Sequence, residues 1–79
     1  MLRTKTNKLM VAFPTTTDAM HMQIAAGKRN LPGRMIPVPE VISAGCGLAW
    51  CTDPEQRSEI ASVIEEEGIR TEGYYEILW

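Results

Sequence analysis

Several features that would assign a small protein to a class are scarce in this sequence. Its 79 residues include only two cysteines, far fewer than a disulfide-stapled secreted scaffold of this size uses. The formal net charge is -2, so the chain has no surplus of basic residues to hold a nucleic-acid backbone. We therefore expect neither a secreted mini-protein nor a nucleic-acid-binding domain.

Long hydrophobic runs are also missing. The first apolar stretch after the basic N-terminal residues, Leu9–Phe13, stops at Pro14. A signal peptide needs an apolar run of about 7–15 residues, and a membrane-spanning helix needs about 20. We expect no membrane partner and a cytoplasmic location, where both cysteine thiols stay reduced.

The residues that are present fit one small domain. The composition is 44% hydrophobic and 23% charged, and a chain this short buries only about 60–65% of its unfolded surface, enough for one two-layer core. We predict a single domain over residues 1–79, with residues 1–7 as a frayed tail and residues 8–79 folded. A large cofactor pocket does not fit in such a core, so we expect no cofactor.

The first half of the chain predicts a strand followed by a helix. Residues 8–13 alternate, with Leu9, Val11 and Phe13 on one face of a strand that Pro14 ends. Thr15 is the expected N-cap of a helix over residues 16–29, and Asp18 stands three residues later as in a capping box. The helix ends in the turn-forming sequence of residues 30–33.

The second half predicts three more strands and a second helix. A strand over 34–38 contains Pro37 and is followed by Pro39, which restricts it to a sheet edge because proline cannot donate a ladder hydrogen bond. Further strands are predicted over 48–51 and 71–79. The helix between them is marked by an N-cap, a proline at the first helical position, a buried stripe and a glycine stop: Asp53, Pro54, Gln56, Ile60, Val63, Ile64 and Gly68.

The resulting order, βαββαβ, is that of a ferredoxin-like α+β sandwich. This fold has a four-stranded antiparallel sheet of order 4-1-3-2 with two helices on one face. The order places the second strand at an edge, as its prolines independently require.

The loop of residues 43–47 is the candidate site. In the predicted topology it lies near Thr15, where the start of the first helix offers unpaired N–H groups and partial positive charge. Such surroundings favour the thiolate of Cys46, and the flanking Gly45 and Gly47 allow a tight or positive-φ backbone. Their amides and the helix terminus would stabilise an anion on the sulfur. A buried structural cysteine in a simple turn explains the same residues equally well.

Five short motifs follow one another along the chain: Phe13-Pro-Thr-Thr-x-Asp-Ala19, Met35-Ile-Pro-x-Pro39, Ile42-Ser-x-x-Cys-Gly-Leu-Ala49, Gly68-Ile and Gly73-Tyr-Tyr. Over about residues 9–77 this pattern resembles that of the selenium/sulfur carrier-like family of small bacterial domains. The resemblance implies that Cys46 accepts sulfur or selenium as a persulfide or perselenide, and that the protein is a carrier served by partner enzymes. The implied partners are a cysteine desulfurase or selenium-pathway enzyme and an acceptor protein. The supporting residues are Ser43, Gly45, Gly47, Thr15, Thr16 and Gln23.

The sequence departs from the family pattern at three positions. Basic residues are common in the family where this chain has Glu40 and Cys51, and Glu is usual where it has Gln23. Two missing cations near the loop would weaken the attraction for an anionic persulfide. Cys51 is interpreted as a structural strand residue, because a fully extended chain would separate its Cα from that of Cys46 by about 16 Å. A second thiol acting with Cys46 as a redox switch is the alternative.

The remaining polar and sulfur-containing residues are assigned mainly structural roles. Gln23 is placed on the core-facing arc of the first helix, either as a satisfied amide or reaching toward the Cys46 loop, and His21 is placed facing solvent. No metal site is expected, since the sulfur and imidazole ligands lack metal-binding spacing. The methionines on predicted elements are interpreted as core filler: Met10, Met20, Met22 and Met35.

The last predicted strand carries Tyr74, Tyr75 and Trp79 and forms the second sheet edge. That edge, with the sheet face that carries no helix, is a candidate homodimer surface. Because ferredoxin-like domains host many functions, a non-catalytic binding or regulatory module is the alternative to a carrier.

Overall fold

Four short strands rich in apolar residues and two helices make up the fold, with no helix among the described residues between the second and third strands. The computed structural model describes residues 6–40, 42, 45 and 47–79. The elements are β1 (Asn7–Ala12), α1 (Thr16–Lys28), β2 (Arg34–Pro37), β3 (Leu48–Thr52), a 3₁₀ turn (Pro54–Gln56), α2 (Arg57–Glu67) and β4 (Gly73–Leu78). The predicted element order is confirmed, with boundaries shifted by a few residues.

The strands form one open antiparallel sheet of order β2-β3-β1-β4. Read in the opposite direction, this is the predicted order 4-1-3-2. The strand that contains Pro37 lies at an edge, as the missing N–H of proline requires. β4 forms the other edge. The class is therefore α+β.

Both helices pack on the same face of the sheet. The alternation of β1 directs Leu9, Val11 and Phe13 toward them, and all three side chains are fully buried. The core on this face also contains Trp50 of β3 together with residues of the two helices and of the turn after α2: Ala19, Met22, Ala25, Ala26, Ile60, Val63, Ile64 and Ile69. The predicted stripe of α2 is thus confirmed.

The opposite face of the sheet carries no helix but is also covered. Met10 and Ala12 of β1 point to this side and are 0% exposed. They cluster with Ile36, Ile42 and Cys51, and side chains from β4 and from the segment after β2 pack over them: Val38, Tyr75, Ile77 and Trp79. Ile42 belongs to the segment between β2 and β3, so part of that connection closes this second core.

The two helices begin differently. The Thr15 hydroxyl accepts a hydrogen bond from Asp18 N at 3.2 Å, which confirms the predicted N-cap of α1. Asp53 precedes the second helical segment and Pro54 is at its first position, as predicted, but the Asp53 side chain makes no cap bond and accepts a hydrogen bond from Lys8 Nζ at 2.7 Å. The segment opens with a 3₁₀ turn before α2 begins at Arg57, so only the predicted side-chain cap is wrong. α2 ends as predicted at Gly68, whose φ is 67°.

The methionines do not all fill the core. Met10 and Met22 are fully buried and Met35 is half-buried, but Met20 is 55% exposed. Met20 therefore contradicts the prediction, because it lies on the outer side of α1. Within the part of the chain that the structure describes, neither helix has the length and apolar character needed to cross a membrane.

Candidate functional site

Three connections meet at one end of the sheet, as the topology predicts. Ala12, at the end of β1, pairs with Ala49 of β3 on one side and with Gly73 of β4 on the other. The turn into α1, the segment before β3 and the turn before β4 therefore lie together. This end contains the motif residues that flank Cys46.

Gly45 is held tightly against the other two connections. Its N–H donates a hydrogen bond to Glu72 Oε1 at 2.6 Å, and Glu72 N in turn donates to Ala12 O at 2.8 Å. A Cβ atom built on Gly45 would lie 2.5 Å from Pro14 O, closer than real side chains approach a backbone oxygen. Position 45 therefore has no room for a side chain.

Gly47 has the positive φ that the sequence analysis allows for the loop. Its φ is 72°, in the left-handed region that glycine adopts without strain. Its carbonyl accepts a hydrogen bond from Val38 N at 2.9 Å, which ties the segment before β3 to the residue after β2. The backbone is thus fixed on both sides of position 46.

Cys46 and Ser43 themselves lie outside the described residues. Their predicted roles, as carrier thiol and as supporting residue, remain predictions, and so does the separation of Cys46 from Cys51. The structure defines the positions that flank the thiol and the residues that hold them.

The start of α1 already holds an anion. Thr15 Oγ1 donates to Asp18 Oδ2 at 2.6 Å, and Arg70 approaches the same carboxylate with its backbone N and its guanidinium, both at 3.4 Å. The Thr15 hydroxyl is the main cause that lowers the pKa of Asp18; burial opposes it, and Arg70 adds to the lowering. The positive end of α1 is therefore balanced in part by this carboxylate. Thr16 is exposed.

Glu72 is the site residue that the sequence analysis missed. The only available signal is its position before the last strand, at the end of the sheet that the loop shares. Its bond to Gly45 also corrects one expectation, because the Gly45 N–H predicted to stabilise an anion on Cys46 is already bound to a carboxylate. That amide becomes available only when Glu72 releases it.

Gln23 and His21 do not occupy their predicted positions. The buried residues of α1 are Asp18, Ala19, Met22, Ala25 and Ala26. They centre on Met22, which places residues 21 and 23 about 100° to either side of the core direction. Gln23 is exposed, so its placement on the core-facing arc is wrong. None of the described residues of the Cys46 loop lines the cavity beside Gln23, whose other lining residues are Ala26, Gly27, Asn30, Leu31, Gly33, Arg34, Met35 and Trp50.

His21 is half-buried between the helices rather than turned to solvent. Its Nε2 lies 3.1 Å from Glu67 Oε1, and Arg29 donates to the other oxygen of the same carboxylate at 3.0 Å. The hydrogen bond from His21, followed by that from Arg29, holds the pKa of Glu67 below its ordinary value. This contact joins α1 to the end of α2.

Cys51 is a buried residue of β3. It is 6% exposed and packs on the sheet face that carries no helix, opposite Met10 in the β1–β3 pairing. It lines a cavity of about 310 Å³ together with Lys8 and Arg34. The structural interpretation of Cys51 fits this burial, and a charge at position 51 would act on that cavity.

Residues that could bind a metal do not converge in the described part of the chain. Among residues 6–40, 42, 45 and 47–79, no three His, Cys, Asp or Glu side chains form a candidate metal group.

The fold and the site together define a class: a small α+β domain with Gly45 and Gly47, the two sequence neighbours of a cysteine, at one end of its sheet. The family model described as "Putative Se/S carrier protein-like" matches residues 8–76, and the chain belongs to this family. A search of the curated proteins finds no match to the chain, and a search of the solved structures finds none.

Proposed function

We propose that this protein is a carrier that accepts sulfur or selenium on Cys46 and passes it to an acceptor protein. Membership of the carrier-like family over residues 8–76 supports the proposal. The observation that carries it is the anchored backbone around position 46, where Gly45 is bound to Glu72 and Gly47 adopts a left-handed conformation. Backbone anchors beside a reactive residue are the kind of support that a functional site requires.

The chemistry is thiol exchange and needs no redox partner. The Cys46 thiolate attacks the terminal sulfur of a donor persulfide, a new S–S bond forms, and the donor's S–S bond breaks. The donor cysteine leaves as a thiolate, and the transferred sulfur keeps its proton. The same exchange with a perselenide transfers selenium. Attack by an acceptor thiolate on the terminal atom reverses the step and releases Cys46.

The scaffold suits a protein that relies on other enzymes for catalysis. Its strand order fits a ferredoxin-like fold, which we propose for the chain. The sulfur donor would be a cysteine desulfurase, or a selenium-pathway enzyme where selenium is carried. Because the exchange requires a reduced Cys46 thiol, we place the carrier in a reducing compartment such as the cytoplasm.

Loading the protein with sulfur tests the proposal. The chain is incubated with a cysteine desulfurase and L-cysteine, and separately with glutathione persulfide, and the modified peptides are mapped by mass spectrometry. We expect the mass of one sulfur atom on Cys46, none in Cys46→Ser, and full loading in the matched control Cys51→Ser. The proposal fails if Cys46 stays unmodified while an established sulfur carrier is loaded under the same conditions.

An assay in cells distinguishes a carrier, which needs the Cys46 thiol, from a binding module, which does not. Cys46→Ser is expected to abolish function in cells, whereas Cys51→Ser is expected to retain it. If Cys46→Ser keeps full function, the protein acts through binding rather than through sulfur transfer.

A further inference from the structure

The outer side of α1 carries an apolar stripe. Met20 is 55% exposed and Ile24 is 56% exposed, and they are one helical turn apart on the same side. Gly27 continues the line, and a Cβ built on it would meet nothing within 4 Å. We call Met20, Ile24 and Gly27 the α1 stripe. The other large apolar side chain with comparable exposure, Leu78 at 64%, lies on β4.

A cavity continues from the α1 stripe toward the edge of the sheet. It measures about 520 Å³ and is lined by Gln23 and Gly27 of α1, by Leu31 and Met35, and by Trp50 of β3. Trp50 is 4% exposed, and its indole N–H has no hydrogen-bond partner among the described residues. Gly27 belongs to both features, so the α1 stripe and the cavity form one continuous surface.

The charge around this surface is positive, although the protein is acidic overall. Lys28 follows Ile24 by one turn and Arg34 lines the cavity, and neither forms an ion pair with any residue that the structure describes. The acidic residue of α1, Asp18, is buried and bound to Arg70. The outer side of α1 itself therefore carries apolar side chains and Lys28 but no exposed carboxylate, and Arg34 of β2 borders the adjoining cavity. The carboxylates of α2 at this end, Glu66 and Glu67, are bound to Arg29 and His21. The electrostatic complement of the α1 stripe and its cavity is an acidic surface that carries an apolar side chain.

The α1 stripe is also close enough to the loop to matter for sulfur transfer. α1 begins at Thr16, immediately after the Pro14–Thr15 turn that Gly45 packs against. At 1.5 Å per residue, Met20 lies about 6 Å along the helix axis from Thr16, and Lys28 at the far end of α1 lies about 18 Å from it. A protein that covers the whole length of the α1 stripe therefore extends from the cavity to the end of the sheet that Gly45 and Gly47 share.

We propose that the α1 stripe and its adjoining cavity form the docking surface for the protein that donates sulfur to Cys46. The donor presents an apolar side chain bordered by carboxylates, which fits between Lys28 and Arg34. This inference rests on the proposed carrier function and adds the place where the donor binds.

Binding to a cysteine desulfurase, measured in the Cys46→Ser background, tests docking apart from chemistry. We expect the double variant Met20→Ser/Ile24→Ser, called the stripe variant, to raise the dissociation constant about tenfold, since central apolar contacts dominate interface energies. The double variant Lys28→Glu/Arg34→Glu is expected to raise the dissociation constant at low salt by more than the stripe variant does. Leu78→Ser, an equally exposed apolar residue on another element, is the matched control and leaves binding unchanged.

Loading with two donors completes the test. The stripe variant should load from glutathione persulfide at the wild-type rate and from the desulfurase about tenfold more slowly. Equal binding by the wild type, the stripe variant and the Leu78→Ser control would overturn the docking site, as would a stripe variant that loses only self-association in sedimentation. Stripe-dependent binding with Cys46 never loaded by either donor would instead overturn the carrier function and leave the docking site standing.

Discussion

The two helices pack on the same face of one sheet, yet their outer surfaces are opposite in character. α1 shows solvent two large apolar side chains and a lysine, and its one acidic residue, Asp18, is buried. The outer side of α2 is acidic, with Glu59, Glu65 and Glu66 exposed. The inner stripes of both helices build the core, so the difference between their outer sides is not required by the fold.

The contacts between the helices sharpen this contrast. Glu67 of α2 binds both His21 and Arg29, and Glu66 lies 3.6 Å from Arg29. The acidic end of α2 thus neutralises the cation that follows α1, while Lys28 and Arg34 have no ion pair in the described part of the chain. The outer side of α2 is thus charged and suited to solvent, whereas the outer side of α1 has apolar area that a partner can cover.

The largest predicted effects are on the free energy of unfolding, and they compare buried helix residues with an exposed one. Met22→Ala in α1 and Ile60→Ala in α2 remove fully buried side chains and should each lower the free energy of unfolding by about 2–5 kcal/mol. Met20→Ala should change it by no more than about 0.5 kcal/mol, because the side chain is exposed. Urea unfolding followed by tryptophan fluorescence measures all three. A large loss in Met20→Ala would show that the α1 stripe belongs to the core.

Two glycines, one in α1 and one in the loop beside it, should respond to alanine with opposite signs. Gly45→Ala places a Cβ against Pro14 O and should cost about 1–3 kcal/mol of stability through overpacking. Gly27→Ala has open space and should raise stability by about 0.5–1 kcal/mol, as alanine stabilises a helix interior. Thermal unfolding of the two variants decides the matter, and equal shifts would contradict the tight packing of Gly45.

The starts of the two helices should differ in their sensitivity to loss of a cap. Thr15→Ala removes a hydroxyl that accepts from Asp18 N and should destabilise the protein by about 1 kcal/mol, with Thr15→Ser largely restoring it. Asp53→Ala removes no cap bond, only the exposed pair with Lys8, and should cost less. If Asp53→Ala costs as much as Thr15→Ala, the carboxylate caps α2 in solution.

The smallest predicted effects concern how stability depends on pH in the acid range. They compare one carboxylate from each helix. The pKa of Asp18, held low mainly by the Thr15 hydroxyl, and that of Glu67, held low mainly by His21, lie below their ordinary values of 3.8 and 4.5. Each ionised group therefore stabilises the fold above its ordinary pKa, and this contribution is lost as the pH falls through the lower folded pKa. Asp18→Asn and Glu67→Gln should both be less stable than the wild type at neutral pH.

In acid the difference from the wild type should shrink for both variants. It should begin to shrink for Glu67→Gln at a higher pH than for Asp18→Asn, since the ordinary value of Glu67 is higher. Urea midpoints across an acid series check the order. A constant difference at every pH would contradict the lowered pKa values.

Much of the fold could be predicted because it depends on local patterns. Alternation in β1, the proline in β2 and Gly68 after α2 each act through their own backbone, and each is confirmed. The topology then predicted which connections meet beside Gly45. These features do not depend on the side-chain conformations of residues that are distant in the sequence.

The errors come from residues whose role depends on a distant partner or on an uneven helix surface. Asp53 binds Lys8 instead of capping α2, and Glu72 reaches Gly45 across the end of the sheet. No local pattern encodes either contact. Gln23 was misplaced because the apolar Met20 and Ile24 shift the apparent centre of the α1 arc outward, although both are exposed.

The connection between β2 and β3 serves two purposes that constrain each other. Its first part supplies Val38 and the buried Ile42 to the core on the helix-free face, and its last part holds the backbone around position 46. Shortening the loop to graft the cysteine onto another scaffold would uncover Met10 and Ala12. The second half is limited in a different way, because Gly45 has no room for a Cβ atom and Gly47 needs a left-handed backbone. The first half of the connection is therefore constrained by side-chain packing, and the second half by its backbone.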